Sequence, residues 1–131
     1  MKYTVKIAPV TKKNHQQILK NHTTGKPFVA PSPQYQQYEK QAAWFLHPLP
    51  PQPIDYPVSV KCLFFLPTRR KTDLTNLLEC IDDVLVSSGV LADDNYGVIA
   101  SHDGSRCYVD KKNPRTEIYI ERMDAADGEE T

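Results

Sequence analysis

The stretch from Leu74 to Ser88 constrains the fold more than any other, because its apolar residues recur with the period of an α-helix. At 100° per residue, one side of this helix carries Leu74, Leu77, Leu78, Ile81, Val84 and Leu85. An apolar face this broad must be buried, and we expect it to pack against a β-sheet. The preceding segment from Pro57 to Pro67, PVSVKCLFFLP, alternates and then becomes wholly apolar, which predicts a strand of that sheet.

The remaining segments predict further strands and a second helix. A strand is expected from Tyr3 to Pro9, and residues 10–33 are polar, basic and rich in turn residues, which indicates a long loop or a short hairpin. A helix follows, with Ser32 as N-cap, and ends before the proline-rich PLPPQP. Residues 96–110 predict a hairpin that turns at Asp103-Gly104. Residues 115–123, RTEIYIERM, alternate and predict the final strand.

This order, β-α-β-α-β-β-β or one strand fewer, predicts an α+β fold with a small mixed sheet of four to five strands and two α-helices packed on it. We expect a single domain over residues 1–123 and an acidic tail, DAADGEET, over residues 124–131. The 40% hydrophobic content of the 131 residues is typical of a globular protein.

No apolar run approaches the roughly 20 residues that span a bilayer, and MKYTVKIAPV lacks the apolar region of a signal peptide, so we expect a cytoplasmic protein with no membrane partner. Cys62, Cys80 and Cys107 are widely spaced and odd in number, which favours reduced, buried or half-buried thiols over a zinc site or a disulfide framework.

Charge is distributed unevenly although the formal net charge is zero. Residues 1–72 contain eleven Lys and Arg residues against two acids, whereas residues 73–131 contain five against fourteen. Such asymmetry indicates either a polyanionic partner or an acidic tail, and both readings remain open at this point.

A basic cluster, Arg69, Arg70 and Lys71, directly precedes a series of carboxylates. The carboxylates of this region are Asp73, Glu79, Asp82, Asp83, Asp93 and Asp94. Taken singly they have ordinary explanations, namely an N-cap, a solvated helix face and a turn. Together with the bases they also suit phosphodiester hydrolysis, because Mg²⁺ binds carboxylate oxygens and bases hold the phosphate backbone.

The stretch RRKTDLTNLLECIDDVLVSSGVLADD, residues 69–94, resembles the core motif of the RusA family of Holliday-junction resolvases, which phages and prophages often encode. The segments APVTKKNH, PSPQYQQYE and HDGSRCYVDKKNPRTEIYI are similar to the family's N-terminal loop, first helix and closing strands. The resemblance implies a homodimer that nicks opposing strands of a four-way DNA junction with Mg²⁺ or Mn²⁺, in recombination and repair.

The resemblance also implies a set of site residues. By position, Asp73 and Asp94 match the first and last metal-binding aspartates, Asn76 matches the motif's asparagine, and Asp83 matches a later acid. Two positions depart from the family, because its second aspartate is Thr75 here and its helix lysine is Glu79. We expect Glu79 to offset the lost carboxylate, and Lys71, Lys12 or Lys111 to offset the lost cation.

The resulting hypothesis is a site with three groups of residues. The metal ligands are Asp73, Asp94, Glu79 and Asp83, and the catalytic set adds Asn76 and Lys71. The DNA-binding set is Lys12, Lys13, Asn14, Arg69, Arg70, Lys71, Lys111 and Lys112, with Arg115 extending the surface. The four histidines, His15, His22, His47 and His102, show no partner spacing, and Trp44 is expected in the core or a dimer interface.

Three other functions remain open from the sequence. The changes at Thr75 and Glu79 could mark a catalytically altered or inactive module that binds branched DNA. A nuclease acting on flaps or forks would have the same motif. An unrelated structural protein would place Glu79 and Asp83 far from Asp94 on a solvated helix face.

Overall fold

The computed structural model describes residues 1–11, 17–30 and 32–123, with the backbone alone for residues 17, 18, 29 and 30. Its elements in chain order are β1 (Lys2–Val5), β2 (Gln17–Lys20), β3 (Pro27–Ala30), α1 (Pro33–Ala43), β4 (Val58–Leu66), α2 (Leu74–Ser87), β5 (Ile99–Ser101), β6 (Arg106–Val109) and β7 (Arg115–Arg122). A five-stranded mixed sheet, a separate two-stranded sheet and two helices confirm the predicted α+β fold. The tail, residues 124–131, lies outside the described residues, as do Lys12, Lys13 and Asn14.

Strand β4 is the centre of the five-stranded sheet. It pairs antiparallel with β7 along nearly its whole length, from Val58 opposite Arg122 to Phe65 opposite Arg115, and β1 pairs with the far side of β7. Alternate β4 side chains are buried, as the period of a half-buried strand requires. The strand predicted from Pro57 to Pro67 is therefore confirmed, with its ends one residue inside the prolines.

Helix α2 occupies the predicted position and buries the predicted side. Leu77, Ile81, Val84 and Leu85 are fully buried, and Leu74 and Leu78 pack against the core. Helix α1 packs beside it and buries Tyr35, Tyr38 and Ala42.

The sequence predicted the N-cap of α1 correctly but not the exposure of Trp44 at its C-terminal end. The predicted N-cap is confirmed, because the hydroxyl of Ser32 accepts a hydrogen bond from the Tyr35 amide at 3.1 Å. The helix ends at Ala43, and Trp44 is 79% exposed, so Trp44 is not in the core, and its other expected place, a dimer interface, stays a prediction.

The predicted hairpin at Asp103-Gly104 is wrong in its strand pairing. Strands β5 and β6 do not pair with each other; both pair with β4, in parallel, one after the other along the same edge. Between them, side chains replace the missing backbone rungs. The Val60 carbonyl accepts from the His102 ring at 2.8 Å, and the Cys62 amide donates to the Ser105 hydroxyl at 3.0 Å.

Residues 17–30 form the short hairpin that was one of the two expectations for this segment. Strands β2 and β3 pair antiparallel and make up the two-stranded sheet. The turn is closed where the Gly25 amide donates to the Asn21 carbonyl at 2.7 Å, and Gly25 has a φ of 73°, which a side chain would disfavour. Among the described residues, neither helix is long and apolar enough to cross a membrane.

Candidate active site

The basic cluster lies on an exposed turn that leads from β4 into α2. Arg69, Arg70 and Lys71 are all exposed, and none of them forms an ion pair within the described part of the chain. Two surface grooves meet at this turn and share Leu66, Thr68 and Arg70. One groove is lined by Pro9, Val10, Thr11, Gln34, Leu66, Pro67, Thr68, Arg70 and Thr72, and the other by Leu66, Thr68, Arg69, Arg70, Cys107, Tyr108 and Val109. Each guanidinium group therefore lines a groove that is open to an anionic partner.

Asp73 follows this turn and occupies the N-cap position of α2. Its backbone is extended and its carbonyl accepts from the Leu77 amide, but its carboxylate makes no capping hydrogen bond. The carboxylate instead accepts a hydrogen bond from the side-chain amide of Asn76 at 3.3 Å. Asn76 thus orients the Asp73 carboxylate, and the exposed Thr75 side chain lies on the same first turn.

A second group of polar residues lies at the middle of α2. Asp82 is largely buried, and its Oδ2 lies 2.9 Å from Nε2 of His102, which follows β5. The other ring nitrogen of His102, Nδ1, donates to the Val60 carbonyl of β4. A carbonyl can only accept, so Nδ1 carries a proton, and the bond to Asp82 then requires a second proton between Nε2 and Oδ2. The pair therefore links α2, β4 and the end of β5.

The charge of Asp94 also acts on Asp82. Burial raises the pKa of Asp82, the hydrogen bond and charge of His102 lower it, and the carboxylates of Asp94 and Asp83 raise it again. The pKa of His102 is raised, first by its hydrogen bond to Asp82, while burial opposes the shift. Asp82 Oδ1 is buried and has no hydrogen-bond partner within the described chain.

Glu79 and Asp83 lie on the same side of α2 as Asn76, because positions 76, 79 and 83 of this helix fall within about 60° of arc. The helix therefore keeps these three residues on the shared face that the sequence predicted. Glu79 is exposed, and Asn76 bonds to Asp73 at the start of this face. The Tyr35 phenol of α1 has a raised pKa, chiefly from burial, and the charge of Asp83 adds to it.

The four predicted metal ligands do not converge within one chain. Asp73 precedes Asp82 by nine residues, which is about 14 Å along a helix axis at 1.5 Å per residue. The negative charge of Asp94 raises the pKa of Asp82, whereas Asp73 lies at the start of α2. Across residues 1–11, 17–30 and 32–123, no three His, Cys, Asp or Glu side chains come close enough together to hold a metal ion. The carboxylates form an N-terminal group at Asp73 and a mid-helix group at Asp82, Asp83 and Asp94.

These donors nevertheless suit a hard divalent cation. Mg²⁺ is usually held by one or two carboxylates, with waters and substrate phosphate completing its shell, so three protein ligands are not required. The unpartnered Oδ1 of Asp82, near the exposed Asp94, is a donor atom of the right kind. The ligand roles of Asp73, Asp94, Glu79 and Asp83 stay predictions.

The last predicted DNA-binding residues lie on the turn between β6 and β7. Lys111 and Lys112 are exposed, and the Asp110 carboxylate holds this turn by accepting from the Lys112 and Asn113 amides. Arg115 is engaged internally, donating to Asp110 at 3.0 Å and to Glu117 at 2.8 Å. Its guanidinium also lies 3.7 Å from the ring centre of Phe65. Arg115 is therefore a structural residue of this turn rather than a free cation.

Sequence reasoning missed the pair of Asp82 and His102. His102 shows no partner spacing in the sequence, because its partners come from two other elements, 20 residues away at Asp82 and 42 residues away at Val60. The signal in the sequence was that an acidic residue, Asp82, stands beside the buried face of the helix, between Ile81 and Val84.

Comparisons with known proteins identify the family of the chain. A family model described as "Endodeoxyribonuclease RusA" matches residues 6–121, which include both carboxylate groups and the basic turn. A curated relative from Aquifex aeolicus (strain VF5), named crossover junction endodeoxyribonuclease RusA, is 35% identical over 88 residues. That match covers 66% of this chain and 66% of the relative, which is just under two thirds of its length. The chain belongs to the RusA family of endodeoxyribonucleases.

Proposed function

We propose that the protein is a divalent-metal-dependent endodeoxyribonuclease that resolves four-way DNA junctions by paired nicks. The observation that carries the proposal is the exposed basic turn at Arg69, Arg70 and Lys71, which has no ion pair among the described residues and leads directly into Asp73 within the region matched by the RusA family. Cations that have no carboxylate partner in the fold remain available to phosphates. The curated relative carries a crossover-junction endonuclease name, which supports branched DNA as the substrate.

Each group has a defined part in this proposal. Arg69, Arg70 and Lys71 hold backbone phosphates and stabilise the negative charge that develops on the scissile phosphate. Asp73 and Asp94 are the principal candidates to hold Mg²⁺ or Mn²⁺, with Glu79 and Asp83 as further ligands. When bound, the ion supplies Lewis acidity and lowers the pKa of a water. Asn76 keeps the Asp73 carboxylate in one orientation through its 3.3 Å hydrogen bond.

The separation of the two carboxylate groups supports a homodimer. Asp73 lies at the start of α2, and the charge of Asp94 acts on Asp82, which lies about 14 Å further along the helix axis. In this proposal, two copies of the chain supply the two aspartates that serve one ion. A two-fold dimer then contains two such sites, which is what paired nicks on opposing strands require.

A second candidate function is a module that binds branched DNA without cutting it. Thr75 and Glu79 stand where the family has an aspartate and a lysine, and both are exposed side chains. The described chain brings no three ligands together, which is also what a lost site would show. This candidate keeps the role of the basic turn and removes the role of the carboxylates.

The test is cleavage of a synthetic four-way junction by wild type and by Asp73→Asn, with and without Mg²⁺ or Mn²⁺. Asp55→Asn, which changes an exposed carboxylate before β4, is the matched control. Paired nicks that require both the metal and Asp73, with junction binding retained by Asp73→Asn, support the resolvase. Tight binding without nicks under either metal supports the binding module. Preferential cutting of flaps or forks in a substrate panel would mean that these structures, and not the four-way junction, are the substrate.

A further inference from the structure

We propose that Asp82 and His102 form a positioning pair that holds the Asp94-bearing loop, residues 92–98, against α2. Neither residue belongs to the catalytic set, and the inference rests on the proposed function only for its effect on cleavage. The pair itself is a geometric feature of the fold, since one imidazole bridges a helix carboxylate and a strand carbonyl.

The loop that carries Asp94 is held at its two ends. At its start, the Ala92 amide donates to the Ile54 carbonyl at 2.8 Å, and Leu91 forms a parallel bridge with Ile54. Beyond its end it enters β5, a strand of three residues. Between these ends Asp94 is exposed. The position of Asp94 therefore depends on how firmly each end is fixed.

Strand β5 is a weak attachment by itself. It pairs with β4 only at Val58 and Ser59, and the register shifts between those two residues. His102 strengthens this end in two ways, because Nδ1 adds a third rung to β4 at Val60 and Nε2 fixes the strand end to Asp82 of α2. Without the imidazole, the C-terminal end of the loop would keep the Val58–Val98 hydrogen bond and the burial of Val98 and Ile99, but it would lose its link to α2.

The chemistry of the pair favours a positioning role over packing alone. Asp82 is 14% exposed, one of its oxygens has no hydrogen-bond partner in the part of the chain that the structure describes, and the negative charge of Asp94 acts on it. A carboxylate at such a place costs stability, and an apolar side chain of similar size would pack there without that cost. The gain from Asp82 is a directional hydrogen bond, which fixes the distance between α2 and the strand that follows Asp94.

The first experiment measures loop order in the metal-free and DNA-free protein. Amide hydrogen exchange is followed at Val98 and Ile99, which donate to the Asn95 carbonyl inside the loop. Asp82→Ala and His102→Ala are each expected to accelerate this exchange about tenfold. Asp82→Asn is the rescue variant, because a side-chain amide can donate to a neutral Nε2, and it is expected to stay near wild type. Val84→Ala, a buried position two residues along α2, controls for general loss of stability.

The second experiment separates binding from turnover on a four-way junction with Mg²⁺ or Mn²⁺. Asp82→Ala and His102→Ala should lower kcat by about tenfold to a hundredfold through misplacement of Asp94, while the junction Kd stays unchanged. The double variant should lose no more than either single variant, because both act through one bond. Asp82→Asn should retain most of the turnover, and Val84→Ala should change thermal stability without this loss in kcat.

Each result bears on a different claim. Exchange at Val98 and Ile99 that is the same in Asp82→Ala as in Val84→Ala overturns the positioning pair, whatever the nuclease does. The positioning pair is also overturned if the losses in kcat of Asp82→Ala and His102→Ala add in full in the double variant. Wild-type protein that binds junctions and never cuts them contradicts the proposed function but leaves the exchange experiment as a complete test of the pair.

Discussion

Removing two arginines from the basic turn should reduce the salt dependence of DNA binding by a predictable amount. Arg69 and Arg70 are exposed, have no carboxylate partner within the described chain and line the grooves that meet at the turn. If each contacts one phosphate, Arg69→Gln/Arg70→Gln removes two contacts. The slope of log K against log[salt] then falls by about 1.8, since each phosphate contact contributes about 0.9. Between about 50 and 200 mM salt, the two arginines account for roughly a twelvefold change in affinity.

The assay is fluorescence anisotropy of a labelled four-way junction at several salt concentrations, without divalent metal so that no cutting occurs. The matched control is Lys2→Gln/Lys61→Gln, which removes two positive charges from another part of the protein. Both amino groups lie over the Tyr119 ring, at 5.2 and 4.7 Å from its centre. This control should lower affinity slightly through net charge and leave the slope nearly unchanged.

Two outcomes would refute the reasoning. A slope that is unchanged in Arg69→Gln/Arg70→Gln would remove the basic turn from the DNA interface. An equal fall in slope for the arginine and lysine pairs would mean that DNA responds to overall charge, so the grooves beside the turn would have no special role. Thermal unfolding of both variants should match wild type, because surface substitutions of this kind change stability little.

Three further predictions follow from particular side chains. Thr75→Asp restores the family's second aspartate at an exposed site near the positive end of the α2 dipole, so it should lower severalfold the Mg²⁺ concentration for half-maximal cleavage. Burial raises the pKa of Glu117, but hydrogen bonds from Arg115 and Tyr119 lower it overall, so this stabilisation is present above the unfolded pKa and lost as pH falls through the folded pKa. Arg115→Gln should therefore unfold at a higher pH in acid titrations followed by circular dichroism, and its stability deficit should shrink at low pH. Leu85→Ala empties a fully buried site on α2 and should lower the free energy of unfolding by about 2–5 kcal/mol in urea titrations.

The sequence predicted the part of the fold in which burial alternates regularly. Strand β4 and helix α2 each have one buried side, and period-2 and period-3.6 patterns can be read from a single chain. Ser32 was predictable as an N-cap because its hydrogen bond to Tyr35 depends on local sequence alone. The basic turn was predictable for the same reason, since three adjacent cations after a buried strand end are exposed by necessity.

The strand pairing of β5 and β6 depended on contacts that local sequence does not specify. Asp103-Gly104 is a good hairpin turn by composition, yet the strands on each side of it continue in parallel along β4. The gap between β5 and β6 is possible because the side chains of His102 and Ser105 form hydrogen bonds with the Val60 carbonyl and the Cys62 amide of β4. Such pairing is decided by partners more than 40 residues away, which no local pattern contains.

The direction of α2 explains why the candidate site divides into two groups. The helix runs back along β4, since its middle is joined through His102 to Val60 and the segment after it is bonded to Ile54, before the strand begins. The start and the end of the family motif must therefore lie apart, however well each is matched. Both departures from the family, at Thr75 and Glu79, fall in the half of α2 that starts at Asp73.

The half of α2 near Asp94 instead has a histidine-carboxylate pair. This asymmetry makes the two halves separately testable in one protein. Thr75→Asp changes the donor set near Asp73 and leaves the Asp94 loop untouched, whereas Asp82→Ala loosens that loop and leaves the Asp73 donor set intact. If one ion joins the two halves across a dimer, the first variant should lower the metal midpoint and the second should raise it. A response confined to one variant would mean that only that half contributes to binding the ion.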